Sequence, residues 1–255
     1  MALKKTTDGT LYFNLLSQID GKITSFEELS SKKKQRFIYL RHDVDSETME
    51  PAIRLAKAES QRNIVSSYYL RYVSNYFQFN KKFLNEVKFI SSLGHRIGLH
   101  NNVFPEYLQT RKPIIDIISK PLNFLRDNGI EVSCCCEHGD PELLKQGLNN
   151  IMIWKNWERD AFLGSEKRKD IIPQNYKITL DDIKMKYNAC YIDRDAFLGD
   201  GGGGWTGIWG RFHTRQKYFK KLPIIRKNII QRFNVLPSGV FVALFHPHWW
   251  IVERR

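Results

Sequence analysis

The stretch Phe37-Ile38-Tyr39-Leu40-Arg41-His42-Asp43-Val44-Asp45 decides the reading of this chain. Its apolar, β-forming start gives a strand core, and polar residues begin where that strand ends. Strand side chains alternate, so Tyr39, Arg41, Asp43 and Asp45 project to one side and Leu40, His42 and Val44 to the other. Both carboxylates are therefore expected to face one cavity. His42 is expected to pack or hydrogen-bond beneath the helices covering the opposite side.

Working outward, strand-like and helix-like segments alternate, the pattern of repeated βα units on a parallel sheet. Residues 46–62 read as an amphipathic helix, 64–72 as a strand, 81–93 as a helix stopped by Gly94, and Arg96–Asn101 as a strand. Ile114–Asp127 reads as a helix and 130–136 as a strand. Residues 151–154 and 185–192 read as further strands, 221–233 as a basic helix, and Gly239–Phe245 as the most apolar strand. The expected fold class is α/β, with 255 residues forming one domain.

Composition narrows the classes. With 42% hydrophobic and 26% charged residues the chain is too apolar for disorder, and no 18-residue apolar run spans a bilayer. The basic start lacks the apolar core of a secretory signal, so a cytoplasmic location is expected. Cys134, Cys135 and Cys136 are consecutive, which suits neither a CxxC metal site nor a redox pair; with Cys190 they read as small apolar residues. The net charge of +13 favours anionic partners. Arg211, Arg215, Lys217, Lys220, Lys221, Arg226, Lys227 and Arg232 follow one another with no acidic residue between them. Such a run is either a solvated helix face or a contact for an anion; with neither zinc-finger spacing nor an RNP-type strand beside it, the anionic partner expected is a phosphorylated substrate or an anionic membrane, at the inner membrane surface, rather than specific nucleic acid.

The unusual polar residues collect at one kind of place. Asp43, Asp45, His100, His138, Asp193, Asp195 and His246 all fall at or just past the carboxyl ends of expected strands, where βα loops build ligand sites. Carboxylates and imidazoles converging in a cleft point to a divalent cation that neutralises them and leaves positions open for water. Lowering the pKa of water by ~9 units is on the order of 12 kcal/mol.

Arg41-His42-Asp43-Val44-Asp45, Gly94-His95-Arg96-Ile97-Gly98-Leu99-His100, His138-Gly139 and Leu244-Phe245-His246-Pro247-His248-Trp249-Trp250 together resemble, in that order, the motifs of the polysaccharide deacetylase family, in its branch with His-Asp-Val-Asp. Ser66-Ser67-Tyr68-Tyr69-Leu70 resembles that branch's second strand. The resemblance implies a distorted (β/α) barrel of seven parallel strands and metal-dependent removal of an acyl group from an amino sugar. Asp43 is then the base, Asp45 and His100 are ligands, and His246 is the acid, with the order of the two aspartates left open by Val44 between them. The family's second ligand histidine falls at Phe104, which cannot ligate; His138 is the expected substitute and Asp43 the second choice. The third motif lacks the family's arginine. Arg41, Tyr69, Trp205 and Trp249 are the expected substrate contacts, and zinc the expected metal ahead of cobalt, nickel, manganese or iron. The expected substrate is a nucleotide- or lipid-phosphate-linked sugar of surface polysaccharide synthesis. The alternative is a sugar-binding relic without catalysis.

Overall fold

A computed structural model describes residues 9–26, 35–155, 171–190, 192, 196–200, 234 and 238–251. Its elements run α1 (Thr10–Leu16), β1 (Lys22–Thr24), β2 (Arg36–Val44), α2 (Glu50–Ser60), β3 (Ser67–Arg71), α3 (Lys81–Ser92), β4 (Arg96–Asn101), α4 (Phe104–Thr110), α5 (Ile114–Asp127), β5 (Val132–Glu137), α6 (Pro141–Lys145), β6 (Tyr187–Asn188), β7 (Ala196–Gly199), β8 (Gly239–Phe245) and α7 (Pro247–Trp250). Seven strands follow the order β6-β5-β4-β3-β2-β8-β7, and β1 adds to β2. This alternation of parallel strands and helices is the distorted (β/α) barrel class expected from the sequence.

The main strands and helices fall where the apolar pattern puts them. Residues 150–153 are the exception: they form a 3-10 turn, because the Asn149 side chain accepts the Ile151 N–H and starts a turn instead of a strand. The strand expected over 185–192 shrinks to β6. The expected roles of Asp193, Asp195, Trp205 and the basic segment 211–232 lie outside the described residues.

The chain divides into two compact units. The first comprises Met1–Tyr68, Lys88–Arg96 and Asp193–Arg255. In it β2 is buried along nearly its whole length, as a central parallel strand requires. Ile38 and Leu40 pack with Leu55 of α2, with Phe241, Ala243 and Phe245 of β8, and with Tyr12 and Trp250. The even-numbered side of β2 thus faces apolar packing, as alternation predicts. His42, on that side, meets a carboxylate: Glu59 of α2 bonds His42 Nε2 at 2.9 Å and accepts from the hydroxyls of Tyr12, Ser66 and Tyr68. His95 joins this cluster, with Nδ1 3.9 Å from Glu59 and Nε2 2.8 Å from the Ala56 carbonyl oxygen. Gly94, at φ +91, takes the left-handed turn that follows α3.

The second unit comprises Tyr69–Val87 and Ile97–Ile192. Here β4, β5 and β6 pair in parallel, and α5 buries Ile114, Ile117, Ile118, Leu122 and Leu125. Gly98 lies directly under Tyr69: a Cβ there would sit 2.5 Å from two ring carbons and 2.9 Å from Cys134 Sγ. We expect Gly98→Ala to destabilise the fold by about 1–3 kcal/mol through overpacking. A lowered thermal midpoint checks this, and an unchanged midpoint would contradict it.

Candidate active site

Two polar clusters stand at strand ends, one in each unit. In the first unit Arg41 and Asp43, two residues apart on β2, form a fork-to-fork ion pair. Arg41 Nε donates to Asp43 Oδ1 at 2.7 Å and Nη2 to Oδ2 at 2.6 Å. Both side chains are buried. Arg41 therefore orients the carboxylate.

Asp45 lies just past β2, with Oδ2 3.5 Å from His246 Nε2. His246 precedes α7, and its other ring nitrogen, Nδ1, is 2.7 Å from Asp200 Oδ1. Asp200 is fully buried and also accepts the His246 backbone N–H and the Trp250 indole N–H. A single carboxylate thus fixes both the backbone and the ring of His246. Burial works against the charge on this imidazole, but hydrogen bonds to Asp200 and Asp45, with the charges of Asp200 and Asp43, carry its pKa up to about 10. The Trp249 ring packs on the imidazole at 4.2 Å between centroids.

In the second unit His100 on β4 and Cys136 on β5 are register partners. Cys136 Sγ lies 3.0 Å from His100 Nδ1, and both residues are buried. The His138 ring meets the His100 ring edge-on at 5.1 Å. His138 Nε2 takes a hydrogen bond from Arg71 Nη1 at 3.3 Å, and Arg71 is itself steadied by Ser74. Asn150 holds the loop beyond β5: its Nδ2 donates to the His138 carbonyl and to Asn102 Oδ1, while its Oδ1 accepts the Phe104 N–H. Asn102 in turn donates to Asp140, the cap of α6. Burial raises the Asp140 carboxyl, but the Asn102 bond and the backbone N–H groups of Leu143 and Glu142 outweigh it and lower the pKa.

Phe104 is wholly buried beside Tyr107 at the start of α4, so this position contributes packing and no donor. Tyr69 is equally buried, its ring over Gly98. Arg71, Asp200, Asn102 and Asn150 escaped sequence reading. Only the Asp140-Pro141 pair, a helix-start signal, marks that loop in the sequence.

No family model and no curated protein matches the chain. Among solved structures it is similar to a CE4 esterase of Streptococcus mutans, with 12% identity and a TM-score of 0.45 over 95% of this chain and 80% of that one. A CE4 family pseudoenzyme from Bacillus anthracis gives 12% identity and a TM-score of 0.41 over 86% and 58% of the two chains. A peptidoglycan N-acetylglucosamine deacetylase gives 13% identity and 0.40 over 82% and 72%.

Proposed function

We propose that this protein hydrolyses an N-acyl group on an amino sugar, with a divalent cation whose ligands, from the sequence motifs, are Asp45, His100 and His138. The observation that carries this reading is His246, clamped between the carboxylates of Asp200 and Asp45 at the end of β8. A further feature supports it. Arg41 donates to both oxygens of Asp43, which supports Asp45 as the ligand of the two aspartates. Carboxylate and imidazole donors suit a hydrolytic zinc-type site.

A bound divalent cation supplies polarisation of the acyl carbonyl and acidification of a water. The chain's own groups do the rest. Asp43, held in place by Arg41, takes the proton of the attacking water, and His246 delivers the proton on Nε2 to the leaving amine. Asp200 keeps Nδ1 protonated and the ring aimed. His246→Ala is expected to lower turnover ~10²–10⁴-fold while metal content stays at the wild-type level. Wild-type turnover in this variant would remove His246 from the mechanism.

The +13 charge supports a phosphorylated sugar, nucleotide- or lipid-linked, as substrate. Acetate release at low salt should be faster from phosphorylated than from neutral N-acetyl sugars. Equal rates would count against that substrate class. Phe104 favours one rival, a sugar-binding protein without turnover. Failure of the zinc-loaded protein to release acetate from any N-acetyl amino sugar, while still binding it, would establish the rival.

A further inference from the structure

We infer that Glu137 and Asn101, at the ends of β5 and β4, form a buried site for an alkali cation, sodium or potassium. Both residues belong to the second unit, and the register pairs them directly across the two strands. Alternation turns them to the side of the sheet opposite to that of His100 and Cys136. Asn101 is fully buried and Glu137 is only 8% exposed. One oxygen of Glu137 is already engaged: Oε1 accepts the Trp154 indole N–H and an Asn188 side-chain N–H, each at 2.5 Å. Its Oε2 is enclosed without a hydrogen-bond partner, and so are both the oxygen and the nitrogen of the Asn101 amide. Among the described residues no cationic side chain pairs with Glu137.

A buried carboxylate is costly unless a positive charge accompanies it, and two neutral donors on one oxygen leave its charge uncompensated. Water alone would complete the hydrogen bonds and leave that charge in place. The two oxygens without partners, Glu137 Oε2 and Asn101 Oδ1, are hard donors, which suit a hard cation. Adjacent strands run about 4.8 Å apart, so one ion between them reaches both side chains. A single carboxylate balances a single charge. A monovalent ion therefore leaves the site neutral, whereas a divalent one would bury a net positive charge in a chain that already carries +13. A water held by the ion can accept the Asn101 N–H.

Titration of the full chain with sodium or potassium chloride tests this, with choline chloride replaced at constant ionic strength so that screening of the surface charge stays fixed. Trp154 reports on the site, because its indole N–H sits on the same carboxylate. The wild type should give a saturable change in tryptophan fluorescence. Its thermal midpoint should rise by about 2–4 °C once the cation reaches about five times its dissociation constant. Glu137→Gln keeps the size and the acceptor of the side chain but not the charge, and should lose both responses. Asn101→Ala should weaken binding about tenfold or more, the scale of losing one contact to a charged group. Equal midpoints and flat fluorescence in sodium, potassium and choline overturn the inference. A response that survives in Glu137→Gln overturns it too, as does one given by calcium and by neither alkali ion. The comparison of salts on the wild type needs no variant and decides the matter where Glu137→Gln does not fold. No readout depends on turnover, so the proposed function stands or falls separately.

Discussion

Glu59→Ala is expected to cost about 3–5 kcal/mol of folding stability, the loss typical of breaking a buried charge network by removing one partner. Glu59 is fully buried on α2, and its two oxygens serve Tyr12, Ser66, Tyr68 and His42, with His95 close by. Alanine leaves three hydroxyls and two imidazoles facing an apolar gap. Against a total of about 5–15 kcal/mol, that is a large share. Denaturant unfolding measures it, and a variant as stable as wild type would contradict the role given to this cluster.

The same cluster predicts the acid response. Burial alone would raise the Glu59 carboxyl, but the His42 and His95 charges and the bonds from His42 and Tyr12 bring it below its ordinary value of 4.5. A folded-state pKa below the unfolded one gives stability that is complete above the unfolded value and is lost as pH falls through the folded one. His95 acts in the same direction, because burial lowers its pKa from the ordinary 6.5 and the folded state therefore resists its protonation. Wild-type stability should thus decline in acid, and Glu59→Gln should show a shallower decline. An equally steep decline in Glu59→Gln would place the acid sensitivity elsewhere.

His100→Ala is expected to remove both metal binding and turnover. The cation is asked to supply acidity worth on the order of 12 kcal/mol, and losing even a third of that slows the reaction ~10³-fold. His246→Ala, by contrast, removes a single proton transfer. The pair of variants therefore separates the cation from the acid: one loses metal and rate together, the other rate alone. A His100→Ala protein that keeps its rate would exclude metal chemistry at β4.

Much of the fold was legible because the parallel strands are buried on both faces and read as short apolar runs between helix-length patterns. Gly239–Phe245 and Arg96–Asn101 match the sequence reading to the residue, for their polar ends are abrupt. β7, four residues beside a glycine run, and α4, which starts at Phe104-Pro105, carry too little periodicity to stand out. What the sequence does place correctly is position: Asp43 and Asp45 fall at the end of β2, His100 near the end of β4 and His246 just past β8. The supporting groups were not legible. Glu59 looks like any polar residue of an amphipathic helix, and its meaning comes from Tyr12, 47 positions away. Asp200 reads as part of a flexible glycine run and becomes the partner of His246 only through pairing of β7 with β8. Cys136 reads as an apolar strand residue until the register sets it opposite His100.

The proposed hydrolysis depends on a divalent cation whose binding needs both Asp45 and His100. Zinc content after reconstitution and exhaustive dialysis tests it most directly, in wild type, Asp45→Asn and His100→Ala. One zinc per chain in the wild type and a loss in both variants is the predicted result. One tightly held zinc in either variant, or none in the wild type, would contradict it.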